Sequence, residues 1–313
     1  SRMTVSIFTA QRPLRIGTRR SPLALAQAEM TMAALKAVHN LPDDAVTLVP
    51  MLATGDKIQD RPLADIGGKA LWTKELERAL IDDQIDIAVH SMKDVETWRA
   101  DVFVISAMLP RADVHDRLIG ALALEDLKHG ARIGTSSPRR AAQLQRARPD
   151  VQIVPLRGNV ATRLAHIDAG DADATLLAAA GLDRLGMAGV GAKLSLDAFL
   201  PAASQGAVGI DCLASREDLM PVIAAINDTD TFVAVNAERD FLAAVGGNCH
   251  SPVAALARIE GTQIRLRAEI FTADGSEMQC GECLYAMGSD GAAQLAQELL
   301  GKASADLRGM FAS

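Results

Sequence analysis

The chain has 313 residues, of which 49% are hydrophobic and 23% are charged, as in ordinary globular proteins of two or three domains. Aromatic residues make up only 3% and the formal net charge is −7, which argues against the stacking surfaces and positive field of nucleic-acid-binding proteins. No apolar run approaches the roughly 18 residues of a membrane-spanning helix, so neither nucleic acid nor a membrane is an expected partner.

The first half of the chain alternates strand-like and helix-like segments, which is typical of α/β folds with mostly parallel sheets. The predicted strands are 14–17, 46–52, 85–89 and 102–108, and the predicted helices are 22–38 and 72–81. The polar, glycine-containing segment 54–72 is either a lid over a cleft or an unstructured loop.

A second α/β unit begins near Asp113. Its predicted strands are 131–134, 151–155 and 174–178, its predicted helices are 138–148 and 160–169, and a strand at 200–212 returns to the sheet system. The remaining residues change character, with a helix at 231–245, antiparallel strands at 253–259, 263–271 and 278–285, and a closing helix at 291–307. This order predicts a separate α+β domain.

Two segments of similar sequence and design occur, RIGTRRSPLALAQ at 15–27 and RIGTSSPRRAAQ at 132–143. In each, a strand is followed by a Ser-Pro pair and a helix. Ser21 and Ser137 are suitable N-caps, and Pro22 and Pro138 suit the first helical position. Helix N-termini bind anions through free N–H groups and the helix dipole, so we expect both lobes to present such an end to a common cleft.

Arginines cluster at these helix starts, as Arg19 and Arg20 in the first and Arg139 and Arg140 in the second. Cations there oppose the helix dipole, at about 0.3–1 kcal/mol each when exposed, which suggests a bound anion that reverses the sign. Further arginines near strand ends are Arg157, Arg163 and Arg184. The guanidinium fork matches carboxylate or phosphate, although each arginine alone could be solvated surface charge.

The segment DIAVHSMKD runs from a buried strand into polar residues, where α/β sheets place their sites. Lys93 could pair with a ligand carboxylate, and Asp94 could stabilise a cation or move a proton. The alternative is a strand-end turn with a Lys–Asp ion pair. His90 is interpreted as a structural histidine.

Cys249, in GGNCHSP, is predicted to be an exposed loop thiol that serves as a nucleophile or an attachment point. Cys212 is expected in the core, and the pair Cys280 and Cys283 would face opposite sides of a strand, so no metal site is predicted.

The chain opens without a basic stretch followed by an apolar run, and its thiols fit a reducing compartment. We therefore expect a cytoplasmic protein, and a monomer because no large apolar stripe demands a partner.

Seven segments and the loop around Cys249 resemble the porphobilinogen deaminase (hydroxymethylbilane synthase) family, in the family's order and over nearly the whole chain. They read RIGTRRSPLALAQA, GGKALWTKELERAL, DIAVHSMKDV, IGTSSPRR, LRGNVATRL, LLAAAGLDRLG and ASQGAVGI. The resemblance implies domain 1 over 1–110 and about 203–224, domain 2 over 111–202 and domain 3 over 225–313.

Domains 1 and 2 would then be α/β lobes like those of type II periplasmic binding proteins, with mixed, mostly parallel sheets and helices on both faces. Domain 3 would be an α+β domain with a three-stranded antiparallel sheet. The resemblance also implies a transferase that condenses four porphobilinogen molecules head to tail on a dipyrromethane cofactor, with loss of ammonia at each step. Water finally releases hydroxymethylbilane, which passes to a downstream cyclising synthase in tetrapyrrole (haem) biosynthesis.

By similarity, Cys249 carries the dipyrromethane through a thioether, and Asp94 is the catalytic acid that stabilises the cation formed as ammonia leaves. Lys69 and Trp72 would belong to a lid or pack on a pyrrole ring. The residues expected to bind cofactor or substrate are Arg19, Ser21, Lys93, Ser136, Arg139, Arg140, Arg157, Gly158, Arg163 and Arg184. We hypothesise that the domain 2 arginines anchor the primer, whereas Arg19 and Ser21 receive the incoming pyrrole.

Several positions depart from the family pattern. Asn248 separates the two glycines from Cys249, Glu96 stands where proline often follows the HSMKDV motif, and Trp72 stands where phenylalanine is frequent. RADVHDRLIG replaces the usual hinge sequence. Two other functions stay open on the residues alone: a non-enzymatic two-lobed anion sensor, and a transferase for phosphorylated substrates. The second would need a metal or a phosphate loop that the sequence does not show.

Overall fold

The computed structural model describes residues 8–53 and 72–311. Its strands, in chain order, are β1 (Leu14–Arg19), β2 (Val46–Met51), β3 (Ile87–Ser91), β4 (Phe103–Met108), β5 (Asp116–Ile119), β6 (Arg132–Gly134), β7 (Gln152–Val154), β8 (Ala174–Ala178), β9 (Ala192–Lys193), β10 (Val208–Leu213), β11 (Val253–Glu260), β12 (Gln263–Phe271) and β13 (Met278–Ala286). Its helices are α1 (Pro22–His39), α2 (Lys74–Ile81), α3 (Pro138–Ala147), α4 (Val160–Asp168), α5 (Ala179–Arg184), α6 (Met220–Ala224), α7 (Thr229–Ala244), α8 (Gly291–Lys302) and α9 (Ala305–Gly309).

Lobe one is built on a five-stranded sheet of order β2-β1-β3-β10-β4. Strands β1, β2 and β3 are parallel, and β10 runs antiparallel to β3 and β4. Leu14 and Ile16 of β1 pack with α1 on one face of the sheet, and Ala88 of β3 packs with Leu76 of α2 on the other. The alternation of side chains along a strand therefore gives this sheet two buried faces.

Lobe two repeats the plan with a sheet of order β7-β6-β8-β5-β9. Strands β6, β7 and β8 are parallel, and β5 is antiparallel to β8 and β9. Helix α3 packs on one face through Leu144, and α5 packs on the other through Leu182. The two α/β lobes of like design, predicted from the repeated strand–Ser-Pro–helix segments, are confirmed, and so are the mixed sheets that the family resemblance implies.

The third unit is the antiparallel sheet β11-β12-β13. Its core includes Phe241 of α7, Leu266 of β12 and Leu295 of α8. The predicted three-stranded C-terminal α+β domain is confirmed. The domain boundaries 1–110 with 203–224, 111–202 and 225–313 stay predictions, with which the membership of the three sheets agrees.

Two predicted elements are wrong in part. The strand expected at 200–212 begins only at Val208, because Ser204 (φ 75°) and Gly206 (φ 80°) adopt left-handed conformations that end an extended chain. The closing helix expected at 291–307 is interrupted, because Ser304 turns the chain and caps α9 by accepting a hydrogen bond from Leu307 N at 3.2 Å.

Two chain segments, 109–115 and 194–207, cross between the lobes, and the third unit holds both of them. The buried carboxylate of Glu238, on α7, accepts two hydrogen bonds from Arg111 at 2.7 and 2.8 Å. It also accepts from the backbone N of Ser204 at 2.7 Å and of Ala257 at 2.8 Å. One fully bonded carboxylate therefore fixes both crossings against β11. Within the described residues no helix has the length and apolarity needed to cross a membrane.

Candidate active site

The turn after β3 presents Lys93 and Asp94. It is a short 3₁₀ helix, Met92–Asp94, in which Met92 is buried, as is Val95 just after it, while Lys93 and Asp94 are half-buried. Met92 N donates to Ala207 O at 2.9 Å, which ties the turn to the second crossing segment. The two polar side chains are thus left at the carboxyl end of a parallel strand, as the sequence predicts.

Arg239 of α7 holds this turn from the third unit. Its guanidinium donates to the backbone oxygens of Met92, Val95 and Glu96 at 3.3, 3.1 and 2.7 Å. Sequence reasoning missed this role, because no local pattern links a helix residue to a turn 143 residues earlier in the chain. His90, just before the turn, is buried and bonded through Nε2 to Asp211 Oδ2 at 2.9 Å, which confirms its structural interpretation.

Cations from lobe two surround the Asp94 turn of lobe one. Burial lowers the pKa of Lys93 to about 8, with a further contribution from the charge of Arg140, while Asp94 acts in the opposite direction. Burial and the charge of Arg140 also lower the pKa of Arg163 to about 10, again against the effect of Asp94. Lys93, Asp94, Arg140 and Arg163 therefore share one electrostatic environment in the cleft between the lobes.

The arginines at the start of α3 meet a carboxylate of the protein itself. Arg139 Nη1 donates to Asp116 Oδ2 at 2.8 Å, and Arg140 Nη2 donates to Asp116 Oδ1 at 2.9 Å. The bound anion inferred from this unfavourable helix-start placement is thus, at least in part, the buried Asp116 at the start of β5. Contact of these arginines with a cofactor stays a prediction; their Nε atoms have no partner among the described residues.

Ser21 and Arg19 lie at the corresponding place in lobe one. Ser21 Oγ accepts from Ala24 N at 3.3 Å and Ser137 Oγ accepts from Arg140 N at 3.2 Å, so both predicted N-caps are confirmed. The guanidinium of Arg19 lies 4.3 Å from the ring centroid of Trp72, a cation–π contact. Lys69, with most of the predicted lid 54–72, lies outside the described residues.

The loop after β7 carries a second arginine group. Gly158 has φ 116°, and Arg163 Nε donates to its backbone O at 2.9 Å. Asn159 caps α4 by accepting from Thr162 N at 2.8 Å. Since a side chain at 158 would lie within 2.8 Å of Thr162 Cγ2, the loop requires glycine there to place Arg157 and Arg163.

Two further predicted residues contact the backbone near the cleft. Ser136 Oγ donates to Leu156 O at 3.2 Å, which joins the ends of β6 and β7. Arg184 Nη2 donates to Gly206 O at 2.8 Å, and burial lowers the pKa of Arg184. Its Nε is buried and has no partner within the described part of the chain. The structure therefore gives Ser136 and Arg184 positioning contacts, and their binding roles stay predictions.

The Cys249 loop folds against the Asp94 turn. Asn248, which separates the two glycines from Cys249, accepts from His250 N at 2.8 Å through its side chain and from Ser251 N at 3.1 Å through its backbone. The Cys249 thiol donates to Glu96 Oε1 at 3.9 Å. The thiol is half-buried rather than exposed as predicted, because the loop packs on the segment after Asp94.

The environment of this thiol keeps it protonated. Burial raises the pKa of Cys249, and the neighbouring charges of Glu96 and Asp94 raise it further. A carboxylate within hydrogen-bond reach can accept the proton when the sulfur attacks an electrophile. The same loop is fixed to the turn by Thr97 Oγ1, which donates to Gly247 O at 3.1 Å.

The site suits a ligand with several carboxylates. Lys93, Arg163 and Arg184 all have pKa values that burial lowers, so each charge is poorly solvated in the structure as it stands. Carboxylates of a ligand would relieve that penalty and offer acceptors to the buried guanidinium Nε atoms of Arg140 and Arg184. The donor set therefore fits a polycarboxylate held beside a thiol and a carboxylate.

Comparison with known proteins identifies the family of this site. The family model "Porphobilinogen deaminase, dipyromethane cofactor binding domain" matches residues 14–221, and "Porphobilinogen deaminase, C-terminal domain" matches residues 232–305. Among solved structures, a double mutant of the BvgS VFT2 domain of Bordetella pertussis covers 68% of this chain and 86% of its own, with 12% identity and a TM-score of 0.41.

Curated relatives agree over almost the full length. A porphobilinogen deaminase of Sphingopyxis alaskensis is 55% identical over 98% of this chain and 99% of its own. A porphobilinogen deaminase of Paracoccus denitrificans is 48% identical over 95% of this chain and 96% of its own. With both domain models matched in order and the expected thiol, carboxylate and arginines at one cleft, the chain belongs to the porphobilinogen deaminase family.

Proposed function

We propose that this transferase condenses four porphobilinogen molecules head to tail on a covalently held dipyrromethane, releases ammonia at each step and ends with hydrolysis to hydroxymethylbilane. The observation that carries the proposal is the meeting of Asp94, the Cys249 thiol and cations of both lobes at one cleft. Membership of the family supplies the reaction, and the geometry supports a role for each group.

Cys249 is the attachment point in this proposal. Its sulfur lies on the third unit, faces the Asp94 turn and has an acceptor for its proton in Glu96. When bound through a thioether, the dipyrromethane supplies the nucleophilic pyrrole carbon to which substrate is added. The raised pKa of Cys249 keeps the free thiol protonated and therefore weakly nucleophilic.

The cations bind and orient the growing chain. Each pyrrole unit adds carboxylates, so the ligand charge rises by steps inside a protein whose net charge is −7. Lys93, Arg140 and Arg163 cluster at one place and can bind such a ligand despite the negative net charge, because charges shielded from solvent act strongly over short distances. Guanidinium groups also hold carboxylates in fixed orientation, which keeps the reacting carbons in register.

Asp94 acts on the reacting unit. Positive charge develops on porphobilinogen as ammonia departs, and an anionic carboxylate beside it stabilises that charge. Asp94 lies close enough to Lys93 and Arg163 to oppose the lowering of the pKa of both cations. Arg239 donates to three backbone oxygens of the turn and thereby positions the Asp94 carboxylate.

The proposal also includes the setting of the enzyme. We infer a cytoplasmic monomer whose product passes to a downstream cyclising synthase. Cys212, Cys249, Cys280 and Cys283 are all free thiols, which supports a reducing compartment.

Intact mass tests the attachment. The full-length protein, purified without denaturant, should exceed its sequence mass by one dipyrromethane. Cys249→Ser should lose the excess, whereas the matched control Cys280→Ser, at an exposed thiol of β13, should keep it. An unmodified protein with full activity would contradict the proposal.

A further inference from the structure

A second chemical feature surrounds the attachment thiol. Glu96, Cys249 and His250 lie together, with a carboxylate oxygen, the sulfur and an imidazole nitrogen all within 4.8 Å of one another. All three residues are half-buried, so the group is neither sealed in the core nor fully open to solvent. The backbone N of His250 is held by Asn248 Oδ1 at 2.8 Å, which fixes the turn that puts His250 beside Cys249.

The spacing of these atoms suits a small metal ion. Zinc bonds of about 2.0–2.3 Å in tetrahedral geometry separate ligand atoms by about 3.4–3.6 Å. The Cys249 Sγ to Glu96 Oε1 distance is 3.9 Å, and all three ligand atoms lie within 4.8 Å of one another. Inward shifts of up to about 1 Å would therefore bring the three atoms to zinc-binding distances. Thiolate, imidazole and carboxylate are the ligands that zinc takes in proteins, and three of them leave a fourth position for water.

The charged groups around Cys249 affect the binding of a divalent ion. Asp94 adds negative charge near Cys249, while Arg239 adds positive charge. Arg239 directs its guanidinium to the oxygens of Met92, Val95 and Glu96 and is thereby engaged with backbone. A divalent ion would offset the negative charges of Glu96 and a Cys249 thiolate, and that thiolate would form by release of the thiol proton on binding.

We propose that, before the cofactor is attached, Glu96, Cys249 and His250 bind one divalent zinc-type ion, which protects the thiol and must leave before the thioether forms. Once the sulfur is a thioether it carries no negative charge, so the site loses its strongest ligand. Metal and cofactor therefore exclude each other at Cys249. This goes beyond the proposed function, and the first test below does not depend on it.

Cobalt(II) is the probe, since a thiolate bound to cobalt gives a charge-transfer absorption that zinc lacks. Full-length protein made in a host unable to synthesise porphobilinogen is titrated with cobalt. We expect one ion per chain with thiolate-to-cobalt absorption, displaced by zinc. Cys249→Ser should abolish the absorption. His250→Gln and Glu96→Gln each remove a metal ligand. Each should weaken cobalt binding by at least the roughly 10- to 100-fold that is lost when a residue holding a ligand in place is removed.

Two controls separate this site from others. Cys283→Ser, on β13, and His166→Gln, on α4, should bind cobalt like the unchanged protein. Protein that carries the cofactor should show no thiolate-to-cobalt absorption. Persistence of that absorption in Cys249→Ser, or unaltered affinity in both His250→Gln and Glu96→Gln, would overturn the metal proposal.

A second measurement tests the exclusion itself and rests on the proposed function. One equivalent of zinc should slow the mass gain that follows addition of porphobilinogen to cofactor-free protein, and a chelator should restore it. Mass gain at the same rate with zinc bound would refute mutual exclusion. Absence of any mass gain without zinc would instead count against the proposed function and leave the cobalt result standing.

Discussion

Replacing Asp116 with asparagine would leave two buried guanidiniums without their shared carboxylate. Asp116 is 0% exposed, and Arg139 and Arg140 are 4% and 6% exposed. Burial alone would raise the pKa of Asp116, but the two guanidiniums hold that pKa well below its usual range. Gln205 Nε2 also donates to the same carboxylate at 2.9 Å. An amide could accept at one atom only, and its NH₂ group would face a donor.

Loss of the Asp116 carboxylate should lower the stability of the folded protein. Removal of one partner from a buried ion pair destabilises proteins by about 3–5 kcal/mol, because the remaining charge stays desolvated. Asp116→Asn should lower the free energy of unfolding of lobe two by that amount at pH 7. Because the folded-state pKa of Asp116 is depressed, its contribution is present above the unfolded pKa of about 3.9 and is lost as the pH falls below it. The difference between the two proteins should therefore shrink in acid.

Urea unfolding with hydrogen exchange resolved to β5 and β8 measures the effect where it acts, since a chain of several domains need not unfold in one step. The matched control is Asp197→Asn. The Asp197 carboxylate is 93% exposed and pairs with Arg267 at 3.0 Å. That change should have no resolvable effect. If Asp116→Asn proved as mild as Asp197→Asn, the Asp116 carboxylate would not be compensating buried charge.

Three further outcomes are expected. Lys93, whose pKa is lowered to about 8, is charged below that pH, so calorimetry should show cofactor-free protein binding succinate most tightly below pH 8 and more weakly above it. Lys93→Arg should remove this dependence, and its persistence would exclude Lys93 as the cause. Gly158→Ala should lower the free energy of unfolding by about 1–3 kcal/mol, because position 158 has φ 116° and no room for Cβ. Gly189→Ala, with open space around it, is the control, and equal urea midpoints for the two would contradict the strain argument. Asp94→Asn should keep the fold by circular dichroism and lose about 10²- to 10⁴-fold in turnover, whereas near-normal turnover would remove Asp94 from the acid role.

The two helix starts show how an unusual local pattern can have a different cause from the one first inferred. Arginines beside a helix N-terminus predict a bound anion, and in lobe two a carboxylate of the protein itself meets them. The inference from charge was sound, because an anion is present. The sequence does not identify which anion this is, because Asp116 lies 23 residues before Arg139 in the chain, on a different element.

The sequence by itself determined the local elements and the chemistry at stake. Ser21 and Ser137 followed by proline specify helix starts through backbone hydrogen bonds within three residues, so both were predictable. The alternation of strand-like and helix-like segments likewise indicated the α/β units, and the motif around Asp94 marked the strand end. The family resemblance, rather than spacing, supplied the role of Cys249.

Only the tertiary structure decided the partners of the charged groups. Glu96 and Cys249 are 153 residues apart, and Arg239 reaches Glu96 O across 143 residues. No periodicity encodes such pairs, because they depend on how the three units pack around the two crossing segments. Burial then sets the charge behaviour: the same packing lowers the pKa of Lys93, raises that of Cys249 and places an acceptor beside the thiol. Solvent exclusion depends on the assembled cleft, so these pKa shifts follow only from the tertiary structure.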